Sequence, residues 1–298
     1  KLTHNSTAGF SLELAEDKLV QVDAGAEVLE ANYPASLAVL GDVPALLDAL
    51  LDMALPESAW TREELAEWRA RLRSRDGRHG FEPDVPEGVE GWVELFDMLQ
   101  TTLGPEAIVV TDSGLHQLLA RRYVEVRSPR GLLFPSDFQS MGFGIPAAVG
   151  AAVAAPGRPV VAVVGDGGFL MSSPELAVAA REGARLLVLV VRDGHYGLIR
   201  AQQVSGYGQV HGTLLPALDP EALSLSLGAR FERIGADARG AFQRAMEHPG
   251  VSVLELPVYD SAAFAAHQVK ARVREGVHAV AGPAVSGLKG WIRRFRGS

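Results

Sequence analysis

The apolar positions along the chain follow two rhythms. Near the amino end, KLVQVD (18–23) alternates apolar and polar residues as a half-buried strand does. VPALLDALLDMAL, from Val43, instead repeats its apolar residues every three to four positions, which predicts a helix. TREELAEWRARLRSRDGRHG reads as a charged helix, and the Pro- and Gly-rich FEPDVPEGVEG completes a linker. After Trp92 the pattern becomes regular. Helical WVELFDMLQTTLG precedes the strand in AIVVTDSG, then come amphipathic LHQLLARRYV, short GLLF and the small-residue helix IPAAVGAAVAA. The strand VVAVVG, the helix PELAVAAREGA and the strand LLVLVV follow, and VSVLELPV supplies a last strand near Val251.

Strands that are unbroken apolar runs and alternate with helices indicate a parallel sheet covered on both faces. The predicted fold class is therefore α/β, a doubly wound parallel sheet over residues 91–262. Part of a smaller α/β unit (1–56) and the linker (57–90) precede it, and a basic tail (263–298) follows.

Two of the predicted strands end alike. VVAVVGDGGFL and LLVLVVRDGHYG each run into an aspartate beside glycine, and Asp166 and Asp193 lie 27 residues apart, about one strand–helix–strand crossover. Ser172, Ser173, Pro174 and Glu175 predict the start of the intervening helix, with a serine cap and proline in the first turn. A right-handed crossover brings both aspartates to the carboxyl edge of one sheet, where open α/β sheets bind ligands.

Two neighbouring carboxylates repel, so a cation is their natural companion. Hard oxygen ligands suggest magnesium, which takes one or two carboxylates together with phosphate oxygens and water. Gly165, Gly167 and Gly168 let the backbone approach a phosphate, whose charge the next helix amino terminus favours. The combination reads as a magnesium diphosphate site. Each part has an ordinary alternative, since GDG is also a common turn and aspartate after a strand a common cap. The dinucleotide pattern G-x-G-x-x-G is not met by GDGGFL, and the Gly-Lys-Ser/Thr of a phosphate loop is missing from this stretch.

Composition narrows the field. With 298 residues, 47% hydrophobic and 21% charged, the chain is rich enough in apolar residues to bury a core and is not a disordered one. No apolar run approaches the roughly 20 residues of a membrane span. A net charge of −8 argues against nucleic acid as a partner. The exception is the tail, where Lys270, Arg272, Arg274, Lys289, Arg293, Arg294 and Arg296 face one acid, Glu275. A solvated end is the expectation there. The alternative is an amphipathic helix with Trp291, Ile292 and Phe295 against a membrane surface. Cysteine is absent, which excludes disulfides, a thiolate nucleophile and Cys metal ligands, and agrees with a cytoplasmic location.

GDGGFLMSSPEL through VVRDGHYG resembles the thiamine diphosphate signature of the acetolactate synthase and pyruvate decarboxylase superfamily. VTDSGLHQLLARRY, PSDFQSMGFGIPAAVGAA, GRPVVAVVGDGGF and VLELPVYDS are similar to the cofactor-binding third domain of acetolactate synthases. Residues 1–55, with LTHNSTAGF and LVQVDA, resemble the second half of that family's Rossmann-like central domain. VVRDGHYGLIRAQQ and PVYDS look closest to the catabolic, flavin-free type.

The resemblance implies thiamine diphosphate and magnesium as cofactors. Asp166 and Asp193 would bind the metal through carboxylates and His195 through its backbone carbonyl; many family members have Asn where Asp193 stands. Ser113, Gly114, Leu115 and His116 would meet the diphosphate, joined by the glycine loop at Gly165 and by Gly167, Gly168, Tyr196, Gly197 and Leu198. Met141 would prop the cofactor into its bent shape. Without the resemblance, Met141 reads as a core filler and His116 as a cap or surface residue, while Tyr123 and Phe143 read as core. His79, His211 and His267 receive no role.

The implied activity is decarboxylation of pyruvate, or a related 2-oxo acid, and its ligation to a second 2-oxo acid to give 2-acetolactate. A pyruvate oxidase or another 2-oxo acid decarboxylase, and a non-catalytic thiamine diphosphate-binding homologue, remain open. In the family the activating glutamate comes from a separate pyrimidine-binding domain of the partner subunit in a homodimer or homotetramer. No residue of this chain takes that role, so the chain is expected to be an inactive fragment of the full enzyme.

Overall fold

A computed structural model describes Leu2 and residues 13–53, 60–75, 90–136, 138–235 and 237–257. The basic tail, the proline-rich end of the linker, THNSTAGF (3–10), His79 and His267 lie outside the described residues.

The chain divides into two compact units between Arg69 and Ala70. In the first, β1 (Val20–Asp23) and β2 (Leu37–Leu40) pair in parallel, with Val20 opposite Leu37 and Asp23 opposite Leu40. Helix α1 (Val43–Leu51) follows with proline in its first turn. The charged stretch forms α2 (Arg62–Arg75), which runs across that boundary and whose mutual Thr61–Glu64 hydrogen bonds make a capping box.

The second unit carries a parallel sheet. Its elements are α3 (Glu90–Leu103), β3 (Ile108–Thr111), α4 (Leu115–Tyr123), β4 (Leu132–Leu133), α5 (Gly144–Ala154) and β5 (Val160–Gly165). They continue with α6 (Asp166–Ser172), α7 (Glu175–Arg181), β6 (Leu186–Arg192), α8 (Gly197–Tyr207), α9 (Pro220–Ser226), β7 (Arg230–Arg233), α10 (Ala238–Glu247) and β8 (Val251–Pro257). Among the described residues the strand order is β4-β3-β5-β6-β8-β7, every pair parallel.

The apolar runs bury both faces by simple alternation. Val161 and Val163 of β5 and Leu187 and Leu189 of β6 face one layer, where Phe96, Leu99, Leu119 and Phe242 pack. Val160, Ala162 and Val164, with Val188 and Val190, face the other, against Ile145, Ala148, Phe169 and Leu176. Small residues of α5 sit directly on the sheet, and Phe143 packs at the margin of this second layer as the core reading expects. The side chain of Tyr123 lies outside those described.

The predicted crossover helix is found as α7, starting at Glu175 behind Pro174 as expected but without a serine side-chain cap, and a separate helix that the sequence reading did not predict, α6, precedes it from Asp166. Ser172 donates its hydroxyl back to the Gly168 carbonyl at 2.9 Å instead of capping. In the first turn of α6 the Gly167 N–H is taken by Asp166 Oδ1, and the start of the helix at Asp166 brings that carboxylate to the cleft.

β3 lies inside the sheet with β4 on one side and β5 on the other. The chain therefore leaves β3 in one direction and returns in the other, and the crevice at the strands' carboxyl ends opens at this switch point.

Candidate cofactor site

A cleft of about 250 Å³ opens where β3, β5 and β6 end. Its walls bring together every sequence-predicted site residue: Ser113, Gly114, Leu115 and His116 after β3, Met141 before α5, Gly165, Asp166, Gly167 and Gly168 after β5, and Asp193, His195, Tyr196, Gly197 and Leu198 after β6. Gln139, Val191 and Ile199 line it too and were not foreseen. Val191 and Ile199 are plain apolar residues next to the motif and carry no signal of their own. Gln139 is marked only by its left-handed backbone (φ 53), which the sequence does not display.

The two aspartates are neighbours. Asp166 is buried and accepts the Gly194 N–H through Oδ2 at 2.7 Å and the Gly167 N–H through Oδ1 at 3.0 Å. Asp193 folds back on its own turn and accepts the His195 N–H at 2.8 Å. Gly194 turns between them with φ 72, a conformation that glycine adopts without a Cβ clash. Burial, and then the charge of Asp193, push the Asp166 carboxyl up to about 6, although two backbone N–H groups and Arg192 oppose the rise. Such a pair is held at a cost that a cation relieves.

His195 turns its ring Nδ1 onto the Asp193 carbonyl, 3.0 Å away. Its Nδ1 is thus engaged locally. Among the described residues no three His, Cys, Asp or Glu side chains form a metal cluster.

His116 is neither cap nor surface residue. It is buried in the cleft wall, burial lowers its pKa to about 4, and its Nε2 has no hydrogen-bond partner. An orphaned buried polar atom in a cleft is a place for a ligand atom. Together with the adjacent aspartate pair, it fits a magnesium-bound diphosphate.

The glycines of GDGG have a second reason to be glycine. A Cβ on Gly167 would stand 2.8 Å from Cε1 of Tyr196 and 3.1 Å from Cε of Met141. A Cβ on Gly168 would overlap Asp112 Oδ2. The expectation that both leave room for phosphate is therefore incomplete: side chains of this chain already occupy that room. Met141, in contact distance of Gly167 across the cleft, is not a core filler.

The match to known proteins is consistent with this geometry. Residues 112–256 match the family model "Thiamine pyrophosphate enzyme, C-terminal TPP binding domain". The chain is 32% identical over 198 residues to an acetolactate synthase of Mycobacterium bovis, covering 65% of this chain and 32% of that protein. It is 35% identical over 178 residues to the acetolactate synthase large subunit of Parasynechococcus marenigrum, 60% and 28% of the two lengths. To the chloroplastic acetolactate synthase 1 of Oryza sativa subsp. japonica it is 28% identical over 257 residues, 81% and 39%. The aligned part spans between about a quarter and two-fifths of these relatives.

Proposed function

We propose, for a chain that belongs to the thiamine diphosphate-dependent acetolactate synthase family, that it forms the diphosphate half of an active site that decarboxylates pyruvate. The product is ligated to a second 2-oxo acid to give 2-acetolactate. The observation that carries this reading is the Asp166–Asp193 pair, two carboxylates pressed together at one sheet edge beside the unpartnered His116 Nε2.

Magnesium would be held by the carboxylates of Asp166 and Asp193 and by the His195 carbonyl. Residues 113–116 and the backbone of Gly167, Gly168, Tyr196, Gly197 and Leu198 would bind the diphosphate, and Met141 would support the cofactor from the side. When bound, thiamine diphosphate supplies a nucleophilic carbon and an electron sink for breaking the bond next to a carbonyl. This chain's residues contribute position: they would hold the magnesium whose charge offsets that of the diphosphate, fix its orientation and line the cleft with apolar Leu115, Met141 and Val191 that exclude water.

The activity belongs to the full protein that carries this chain, read as a cytoplasmic homodimer or homotetramer whose partner subunit supplies the activating glutamate. Among the described residues no helix is long and apolar enough to cross a membrane. The test is an assay of that protein with pyruvate, magnesium and thiamine diphosphate. 2-Acetolactate is expected; acetaldehyde or acetyl phosphate as the main product would replace the reading with a decarboxylase or an oxidase. No cofactor binding at all would remove it.

A further inference from the structure

Three adjacent strands of the sheet end in aspartate, in the stretches VTDSG, VGDGG and VRDGH. The second and third aspartates form the proposed metal site. The first, Asp112, does not line the cleft and is wholly buried.

Its carboxylate is a junction of backbone donors. Oδ1 accepts the N–H of Ser113 at 2.8 Å and of Phe143 at 3.2 Å, and Oδ2 accepts the N–H of Gly142 at 2.9 Å. Ser113 opens the loop after β3, whereas Gly142 and Phe143 directly follow Met141. Oδ2 also fills the space where a Cβ of residue 168 would stand, and a Cβ on Gly144 would come within 3.0 Å of the Asp112 Cβ. One buried side chain therefore meets three separate walls of the cleft: the 113–116 loop, the Met141 loop and the first turn of α6.

We propose that Asp112 is a positioning residue that pins the Met141 loop to the cleft floor, with Gly168 as its steric counterpart. Met141 is the apolar residue whose methyl group reaches the Gly167 site, so its height above the floor depends on where Gly142 and Phe143 are held. Backbone N–H groups anchored to a buried carboxylate are fixed more strongly than by a neutral acceptor. An asparagine retains the shape but turns an N–H₂ toward one of the converging N–H donors, which breaks the clamp without opening a cavity. The proposal rests on the reading of the cleft as a thiamine diphosphate site only for its functional consequence; the clamp itself is a property of the chain's own hydrogen bonds.

The test uses the full protein and two readouts. Amide hydrogen exchange in the absence of cofactor reports the clamp: in Asp112→Asn the N–H groups of Gly142 and Phe143 are expected to exchange at least about ten-fold faster, with those inside β5 and β6 unchanged. Titration calorimetry with thiamine diphosphate and magnesium reports the consequence. Asp112→Asn is expected to weaken binding about ten-fold in the wild-type background and by less than about two-fold in a Met141→Ala background, because both changes remove one support. Should Asp112→Asn not fold, Gly168→Ala takes its place in the exchange measurement alone, since the added methyl must displace Oδ2 and release the Gly142 N–H.

Unchanged exchange at Gly142 and Phe143 in the folded variant overturns the proposal, whatever the cofactor does. Additive losses from Asp112→Asn and Met141→Ala overturn it as well, because they show that Asp112 does not act through the Met141 loop. A wild-type protein that binds no thiamine diphosphate but shows the exchange effect leaves the clamp standing and removes the functional reading instead.

Discussion

The Gly194 N–H donates to Asp166 Oδ2 at 2.7 Å, tying the tip of β6 to the tip of β5 across 28 residues of sequence. This bond sets the distance between Asp166 and Asp193, because Gly194 follows Asp193 directly. A buried carboxylate is thereby held next to a second negative charge in the metal-free protein.

The first consequence is a pH dependence of stability. Asp166 rises from its ordinary 3.8 to about 6. Its folded value exceeds its unfolded one, so it contributes stability that is full below about pH 4 and lost as pH rises through 6. At about 1.4 kcal/mol per pH unit, the loss is on the order of 3 kcal/mol. Urea unfolding of metal-free wild type and Asp166→Asn should therefore show the variant gaining 2–3 kcal/mol, as an order of magnitude, between pH 4 and pH 7.5. Magnesium with thiamine diphosphate should erase the gain. A difference that does not vary with pH would refute the strained pair.

Asp193 offers a graded test. Asp193→Asn keeps an oxygen acceptor for the His195 N–H but removes the repulsion, so the metal-free protein should become more stable at pH 7.5 while still binding magnesium and cofactor. Asp193→Ala should also relieve the repulsion yet lose a ligand, which lowers apparent magnesium affinity by at least the roughly 10–100-fold that losing an outer-shell partner costs. Activity titrated against magnesium separates the two. Equal affinities in Asn and Ala variants would contradict a ligand role.

Much of this fold is legible in the chain because a parallel sheet buried on both faces writes its strands as continuous apolar runs, as in VVAVVG and LLVLVV. The cleft is legible because Asp166 and Asp193 sit at strand tips one crossover apart. α7 starts where Pro174 and Glu175 indicate, whereas α6 went unpredicted because it opens on Gly167 and Gly168, which have poor helix propensity. Asp112 escaped because its role depends on Gly142 and Gly168, 30 and 56 residues away, and residue type alone does not distinguish a carboxylate facing a ligand from one facing backbone N–H groups.

Behind the site, Glu255 is buried at 1% exposure between Arg192 (3.0 Å) and Arg233 (3.1 Å), and Arg192 also donates to the Leu218 carbonyl at 3.2 Å. Arg192→Met should cost about 1–3 kcal/mol, since it leaves the buried carboxylate with one partner. It also removes a cation that opposes the rise of Asp166, so the pH window described above should move upward. Chemical denaturation at several pH values measures both; a shift to lower pH is the contrary result.

The most direct measurement is a crystal structure of the full protein with thiamine diphosphate and manganese in place of magnesium, with the ion located by its anomalous signal. One peak is expected in the cleft, at coordination distance from the carboxylates of Asp166 and Asp193 and from the His195 carbonyl, with the diphosphate completing its shell. Cofactor bound with the ion elsewhere, or with either aspartate turned away from it, would contradict the assignment.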